Sequence, residues 1–216
     1  MKIATLATPF RRLLALVALT APLSGIAALE PGFVALDPSG KLEAYDMIAT
    51  PAETWKVGGD VVACTGDPRG YILTKKSYRN FILRLDIRFA RPDGLTDEAT
   101  FPGNSGVLLH VTGEPKVWPA CVEVQGKHVD TGRIIGIGGA PRVTATDDAA
   151  ARKRVLRPVG EWNSLDIVSI DGAVSATLNG VLVGVSEAGP LREGPIGFQS
   201  EGAPVAFRNI RILELP

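Results

Sequence analysis

The chain has little of what covalent and metal chemistry usually needs. Its 216 residues include only two cysteines, Cys64 and Cys121, and two histidines, His110 and His128. With no CxxC pair and no Cys/His finger spacing, a zinc-finger site is excluded. At most one disulfide is available, Cys64–Cys121, and spacing alone does not fix whether their Cβ atoms meet. HExxH, the P-loop and the GxSxG elbow are all missing. Ser105 in "GNSGV" has no Ser-His-Asp setting around it. The glycine run "GIGGA" lacks the βαβ context of a dinucleotide fingerprint. "DTGR" shares Asp-Thr-Gly with aspartic proteases but lacks their second carboxylate motif.

An excess of one charge is missing too. The 23 Lys and Arg residues balance 23 Asp and Glu residues, and Lys2, Arg11 and Arg12 all sit at the N-terminus. No nucleic-acid or anionic-membrane partner is implied. Long apolar runs are confined to the start, "MKIATLATPFRRLLALVALTAPLSGIAALE". The apolar stretch after Arg12 is broken by Pro22 and Gly25 and falls short of the roughly 20 residues a membrane span needs. Basic residues, a short apolar core and then small residues read as a secretory signal peptide over 1–28, cleaved after Ala27 or Ala28. The expected location is the periplasm or the medium. No cysteine is placed to anchor a lipid there, and no later run is long enough to span, so no integral membrane segment is expected after cleavage.

Glycine and proline are plentiful, at 24 and 16, and they punctuate short segments of period two. "NFILRLDIRFA" alternates cleanly: Phe81, Leu83, Leu85, Ile87 and Phe89 share one face, and Arg84, Asp86 and Arg88 the other. "SGVLLHV", "CVEVQ", "GPIGFQS" and "VAFRNIRILEL" are further strands. Asp171-Gly172 and Asn179-Gly180 are the dipeptides of two-residue hairpin turns. The sparse helix signal centres on "ATDDAAARKRVL", with acid before base as the helix dipole favours, although a surface loop fits it equally. Ten or more short strands without alternating long helices mean an antiparallel β-sandwich or barrel over one domain, 29–216. The long links 91–103 and 126–160 are large enough to carry function.

The polar residues on strand faces are the candidate site. In "ACVEVQG", Val122 and Val124 share the face expected to enter the core, while Cys121, Glu123 and Gln125 share the other. Glu123 and Gln125 are then about 7 Å apart on one face. By the same alternation His110 shares a face with Gly106 and Leu108. Asp86 with Arg88, and Gln199 at the end of "IGFQ", complete a set of carboxylate, amide, imidazole and guanidinium groups suited to sugar hydroxyls. Each is also an ordinary residue for a solvated outer strand face. Trp162 ahead of "NSLDI" reads as packing, and Arg208 as an anchor for the closing strand.

The ordered set "GNSGVLLH", "CVEVQG", "DTGRIIG", "GEWNSLDI", "VSATLNGVLV", "GPIGFQSEG" and "VAFRNIRIL" resembles the 3-keto-disaccharide hydrolase domain family from about Gly32 to Leu215. The resemblance implies a concanavalin A-like jelly-roll β-sandwich of two antiparallel sheets with a sugar groove. It also implies an exported carbohydrate-active hydrolase or lyase acting on 3-keto-glycosides. A ketone at carbon 3 acidifies the hydrogen on carbon 2, so a base removes it and the aglycone leaves carbon 1 by elimination, after which water adds. That route needs a base, a group stabilising the enolate and an acid. The resemblance makes Glu123 a base or metal ligand, His110 a base, acid or ligand, and Asn104 and Gln125 substrate contacts. It leaves room for a divalent cation that would polarise the ketone. The chain departs from the family pattern at His110, Ile135 and Glu201, the last two also near the groove. The expected site is therefore catalytic Glu123 and His110, with Asn104, Gln125, Asp86, Arg88, Gln199 and Glu201 around the substrate. Two other readings stay open: a lectin-like binding module without turnover, and a cell-envelope interaction domain.

Overall fold

The computed structural model describes residues 29–216; the expected leader, 1–28, lies outside the described residues. The strands, in chain order, are β1 (Val34–Ala35), β2 (Tyr45–Ile48), β3 (Trp55–Gly58), β4 (Val61–Cys64), β5 (Gly70–Tyr78) and β6 (Phe81–Phe89). They continue as β7 (Gly106–Thr112), β8 (Ala120–Gln125), β9 (Ile134–Ile137), β10 (Ala145–Asp147), β11 (Asn163–Ile170) and β12 (Ala173–Leu178). The last three are β13 (Val181–Ser186), β14 (Gly194–Ser200) and β15 (Val205–Glu214), and the helix α1 (Ala149–Val155) lies between β10 and β11.

These strands form two antiparallel sheets packed as a sandwich, the all-β arrangement of a concanavalin A-like jelly roll. One sheet has nine strands in the order β10-β13-β12-β11-β6-β15-β4-β3, with β1 added along β15. The other has six, in the order β2-β5-β14-β7-β8-β9. Neighbours such as β6 and β15, or β5 and β14, are far apart in sequence, so neither sheet is a simple meander.

Period-two alternation decides what lies between the sheets. From β6, Phe81, Leu83, Leu85, Ile87 and Phe89 are all buried and join one core with Phe198 and Phe207. Phe207 packs its ring 5.3 Å from that of Phe198, which bridges the two sheets at the centre. Truncating a ring so enclosed costs about 3–5 kcal/mol, from lost transfer energy and the cavity left behind. Val122 and Val124 of β8 enter this core, so the opposite face of β8 points away from it.

The two hairpin dipeptides behave as their chemistry requires. Asp171, Gly172, Asn179 and Gly180 all have positive φ, at 48°, 86°, 48° and 82°, the mirror-image turn whose twist matches the flanking strands. Asp148 caps α1 by accepting a hydrogen bond from the Ala151 amide at 2.8 Å, which makes the ambiguous "ATDDAAARKRVL" segment a short helix. Cys64 and Cys121 are both buried and free. Cys64 belongs to the core between the sheets and Cys121 to the outer face of the six-stranded sheet, so the disulfide open to them is not formed.

Candidate functional site

The outer face of the six-stranded sheet has an apolar half and a polar half. Tyr71, Leu108, Val111 and Cys121 form a small cluster there, packed with Ile48, Leu73 and Ile137. Tyr71 lies over Gly197: a Cβ on that glycine would sit 3.2 Å from Tyr71 Cδ2 and 3.3 Å from Leu108 Cβ. Burial raises the Tyr71 phenol to about 12, so it stays a neutral hydroxyl. These residues are enclosed because the link between β7 and β8 folds back across the sheet. Lys116 Nζ donates to the Gly138 carbonyl beyond β9 at 3.2 Å, while the Trp118 ring carries the Arg69 guanidinium, which precedes β5, 5.9 Å from its centre.

The polar half is built by register. β7 sets Gly106 opposite Gln125 and Leu108 opposite Glu123. β14 sets Gly197 opposite Leu108, which brings Gln199 alongside Gly106. Asn104 bridges to Glu201 just beyond the strand ends, its amide donating to the Glu201 carbonyl at 3.2 Å. Gly106 is the centre of this group. A Cβ there would collide with Glu123 Oε1 and come within 2.6 Å of Gln199 Oε1. Any other residue at 106 would fill the space that these two side chains share.

Burial makes the group chemically unusual. Glu123 is 3% exposed and Gln199 2%, and Glu123 Oε1, Gln199 Oε1 and Asn104 Oδ1 are buried with no hydrogen-bond partner. An unpaired buried polar atom costs about 1–3 kcal/mol, so each of the three is a cost to folding that calls for a partner. Desolvation, reinforced by the negative charge of Glu201, pushes the Glu123 carboxyl up to about 8. It therefore holds its proton at neutral pH and can donate as well as accept. Gln125 is less available, because its Oε1 accepts from the Lys127 amide at 2.8 Å.

Five of the eight expected residues thus gather on one face: Glu123, Gln199, Asn104, Glu201 and Gln125. The other three lie elsewhere. His110 does not share the face of Gly106 and Leu108 as strict alternation predicts. The β7–β8 register slips between Leu109 and Thr112, and His110 takes a φ of 53°. The bulge turns the ring inward, where it is fully buried, 5.8 Å from the Phe81 ring, with Nε2 2.8 Å from Ser169 Oγ of the opposite sheet. Burial also pulls its pKa below the ordinary histidine value. Asp86 and Arg88 alternate correctly, but on the outer face of the nine-stranded sheet, across the core from Glu123. Asp86 accepts from Arg208 Nε at 2.9 Å and Asn209 Nδ2 at 2.7 Å. Arg88 and Arg208 lie over the Trp162 ring at 4.4 and 4.2 Å, so Trp162 packs as expected, while Arg208 holds the Asp86 side chain rather than neighbouring backbone.

Sequence reasoning missed Tyr71, Arg69 and Trp118, and used Gly106 only as a marker of alternation. The "VWPA" preceding "CVEVQG" was a usable signal, since a large aromatic ahead of Pro119 in a link is not needed for strand packing. Among the described residues, no three His, Cys, Asp or Glu side chains gather as a group able to hold a metal ion. The described residues thus do not fit a divalent cation. A cavity of about 640 Å³ near Tyr45, Val57, Val62 and Ile210 contains none of the expected site residues.

The match to known families runs almost end to end. The chain belongs to the 3-keto-α-glucoside-1,2-lyase-like domain family, whose pattern it fits over residues 32–213. The lyase-like domain is also similar to solved structures. A candidate glycosyl hydrolase from Parabacteroides distasonis aligns with a TM-score of 0.61 and 22% identity, over 86% of this chain and 95% of that one. The carbohydrate-binding module CBM66 from Bacillus subtilis aligns with a TM-score of 0.53 and 15% identity, over 79% of this chain and 96% of that one. A Bacillus subtilis protein of unknown function with a galectin-like fold gives a TM-score of 0.56 at 11% identity, over 84% and 94%. At such identities these likenesses concern the fold. No protein of curated function matches the sequence. The lyase-like domain is thus a member of a carbohydrate-associated family, and among its described residues no helix is long and apolar enough to cross a membrane.

Proposed function

We propose that the lyase-like domain binds a glycoside on the outer face of its six-stranded sheet, with one sugar ring seated over Gly106. The observation that carries this reading is the set of three buried, unpartnered oxygens, Glu123 Oε1, Gln199 Oε1 and Asn104 Oδ1, the first two of which close over Gly106 so tightly that a Cβ there would collide with them. Adjacent sugar hydroxyls supply donors to such acceptors. The lectin-like binding role is the primary reading, in an exported bacterial protein whose 29–216 segment acts as one unit after leader removal. The test is Gly106→Ala. The added methyl collides with Glu123 Oε1 and Gln199 Oε1 and displaces both side chains, so binding of methyl 3-keto-α-glucoside, followed by calorimetric titration, is abolished while the circular dichroism spectrum stays that of the wild type. Undiminished binding by a folded Gly106→Ala protein would overturn the reading.

Turnover is the second reading, favoured by the raised pKa of Glu123. A carboxyl titrating near 8 beside the Glu201 carboxylate suits elimination from a 3-keto-glycoside. Glu201 takes the proton from carbon 2, the electron pair forms the C1–C2 double bond, and the C1–O bond breaks as Glu123 gives its proton to the leaving oxygen. The rate then falls as pH rises through about 8, because the acid loses its proton. A rate that climbs across that range would assign Glu123 the base's part instead.

A further inference from the structure

We propose that the cavity at one edge of the sandwich binds an arylalkylamine, with the ring held between the sheets and the ammonium at an acidic rim. β2 ends the six-stranded sheet and β3 ends the nine-stranded one. The space of about 640 Å³ at this edge is of the size that encloses small ligands. Its apolar walls include Val57, Val62, Ile210 and Tyr45. Ile210 lies in the bulge where β15 slips against β6. The link between β1 and β2 covers the space. The Leu36 amide donates to the Ile210 carbonyl at 3.1 Å, and a Cβ on Gly40 would stand 3.7 Å from the Gly59 carbonyl oxygen of the β3–β4 turn.

Charge and one orphaned hydroxyl select the ligand's chemistry. The charged residues that line the space are both acidic, Asp37 and Asp60. Asp37 already accepts from Ser39 Oγ and the Leu42 amide, each at 2.6 Å. Asp60 is exposed and makes no hydrogen bond or ion pair among the described residues. A cation is therefore drawn to this rim and an anion repelled. Inside, Tyr45 is 5% exposed, and its hydroxyl is buried without a hydrogen-bond partner. A flat apolar ring that carries one N–H, as indole does, fills the walls and offers that hydroxyl a donor. A short aliphatic amine leaves the walls bare, and a purely apolar ligand leaves the rim unanswered. The site is separate from the sugar face. Tyr45 packs into the core, its ring 6.1 Å from that of Phe198, on the other side of the six-stranded sheet from Glu123.

The test is calorimetric titration of the full protein with three probes of similar shape: tryptamine, its neutral counterpart tryptophol, and the anion indole-3-acetate. At low ionic strength wild type binds tryptamine. It binds tryptophol about fivefold more weakly, the scale of an exposed ion pair, and indole-3-acetate more weakly still. Asp60→Asn, a change on an exposed turn that leaves the fold intact, removes most of the difference between tryptamine and tryptophol. Val57→Trp fills the space and abolishes binding of all three probes. Methyl 3-keto-α-glucoside does not displace tryptamine. A wild type that ignores tryptamine or binds the three probes equally would overturn the site. So would a preference for tryptamine that Asp60→Asn leaves whole, binding that survives in a folded Val57→Trp protein, or displacement by the glucoside.

Discussion

Replacing Glu123 by glutamine tests whether this carboxyl is protonated in the folded protein. Its ordinary value of 4.5 rises to about 8 on folding, chiefly through burial. The sign follows from proton counting. Between pH 4.5 and 8 the unfolded chain has released this proton and the folded chain has kept it, so stability falls as pH rises across that window and levels off above it. At 1.36 kcal/mol per pH unit, the loss reaches about 3 kcal/mol at pH 7 and about 5 kcal/mol above pH 8. Glutamine matches the protonated acid in shape and never ionises, so the variant escapes the loss. Near pH 4.5 the two proteins are close in stability. Above pH 8 the variant is ahead by an amount worth about 10 °C or more in melting temperature for a domain of this size. Thermal or urea melts of both proteins from pH 5 to 9 read the difference, in which every other titrating group cancels. Parallel curves across that range would mean that Glu123 is ionised in the folded state, and the donor role given to it would fall.

Other consequences are equally direct. Both thiols are buried and burial raises their pKa, so neither Cys64 nor Cys121 reacts with iodoacetamide in the native protein, and two adducts appear by mass spectrometry after denaturation without reductant. Asp148→Ala removes the N-cap acceptor of the Ala151 amide and lowers stability by about 1 kcal/mol in a urea melt. Arg152 is buried, donates to the Thr131 carbonyl at 3.0 Å and pairs with Asp147. Arg152→Ala therefore leaves the buried Thr131 carbonyl without its donor, while the exposed Asp147 carboxylate turns to water, and costs about 2 kcal/mol, measured in the same way.

The geometry also accounts for why the site is tolerated. Unpartnered oxygens and a carboxyl kept neutral are costs to folding, and the aromatic core of Phe81, Phe198 and Phe207 offsets them. On the proposed reading, a ligand that satisfies the three oxygens returns part of that cost on binding and so stabilises the domain.

Much of this was legible in the sequence, for physical reasons that also set its limit. Period two is a local property of an extended chain, so the division of β6 and β8 into two faces, Val122 and Val124 against Glu123, could be read directly. The Asp-Gly and Asn-Gly turns were legible because positive φ is a demand on single residues. Alternation names which residues share a face, but it is silent on which sheet a strand joins. Asp86 and Arg88 therefore looked as suitable as Glu123 until the tertiary structure put them on opposite sides of the sandwich. One inserted residue inverts a strand's parity, and the bulge at His110 did so without a glycine or proline to announce it. Only strand pairing across long sequence separations brought Gln199, Asn104 and Glu201 to Glu123 around Gly106. Only the folding back of a link set Trp118 against Arg69. These are non-local contacts, fixed by the burial of two apolar faces against each other, and no short stretch of sequence contains them.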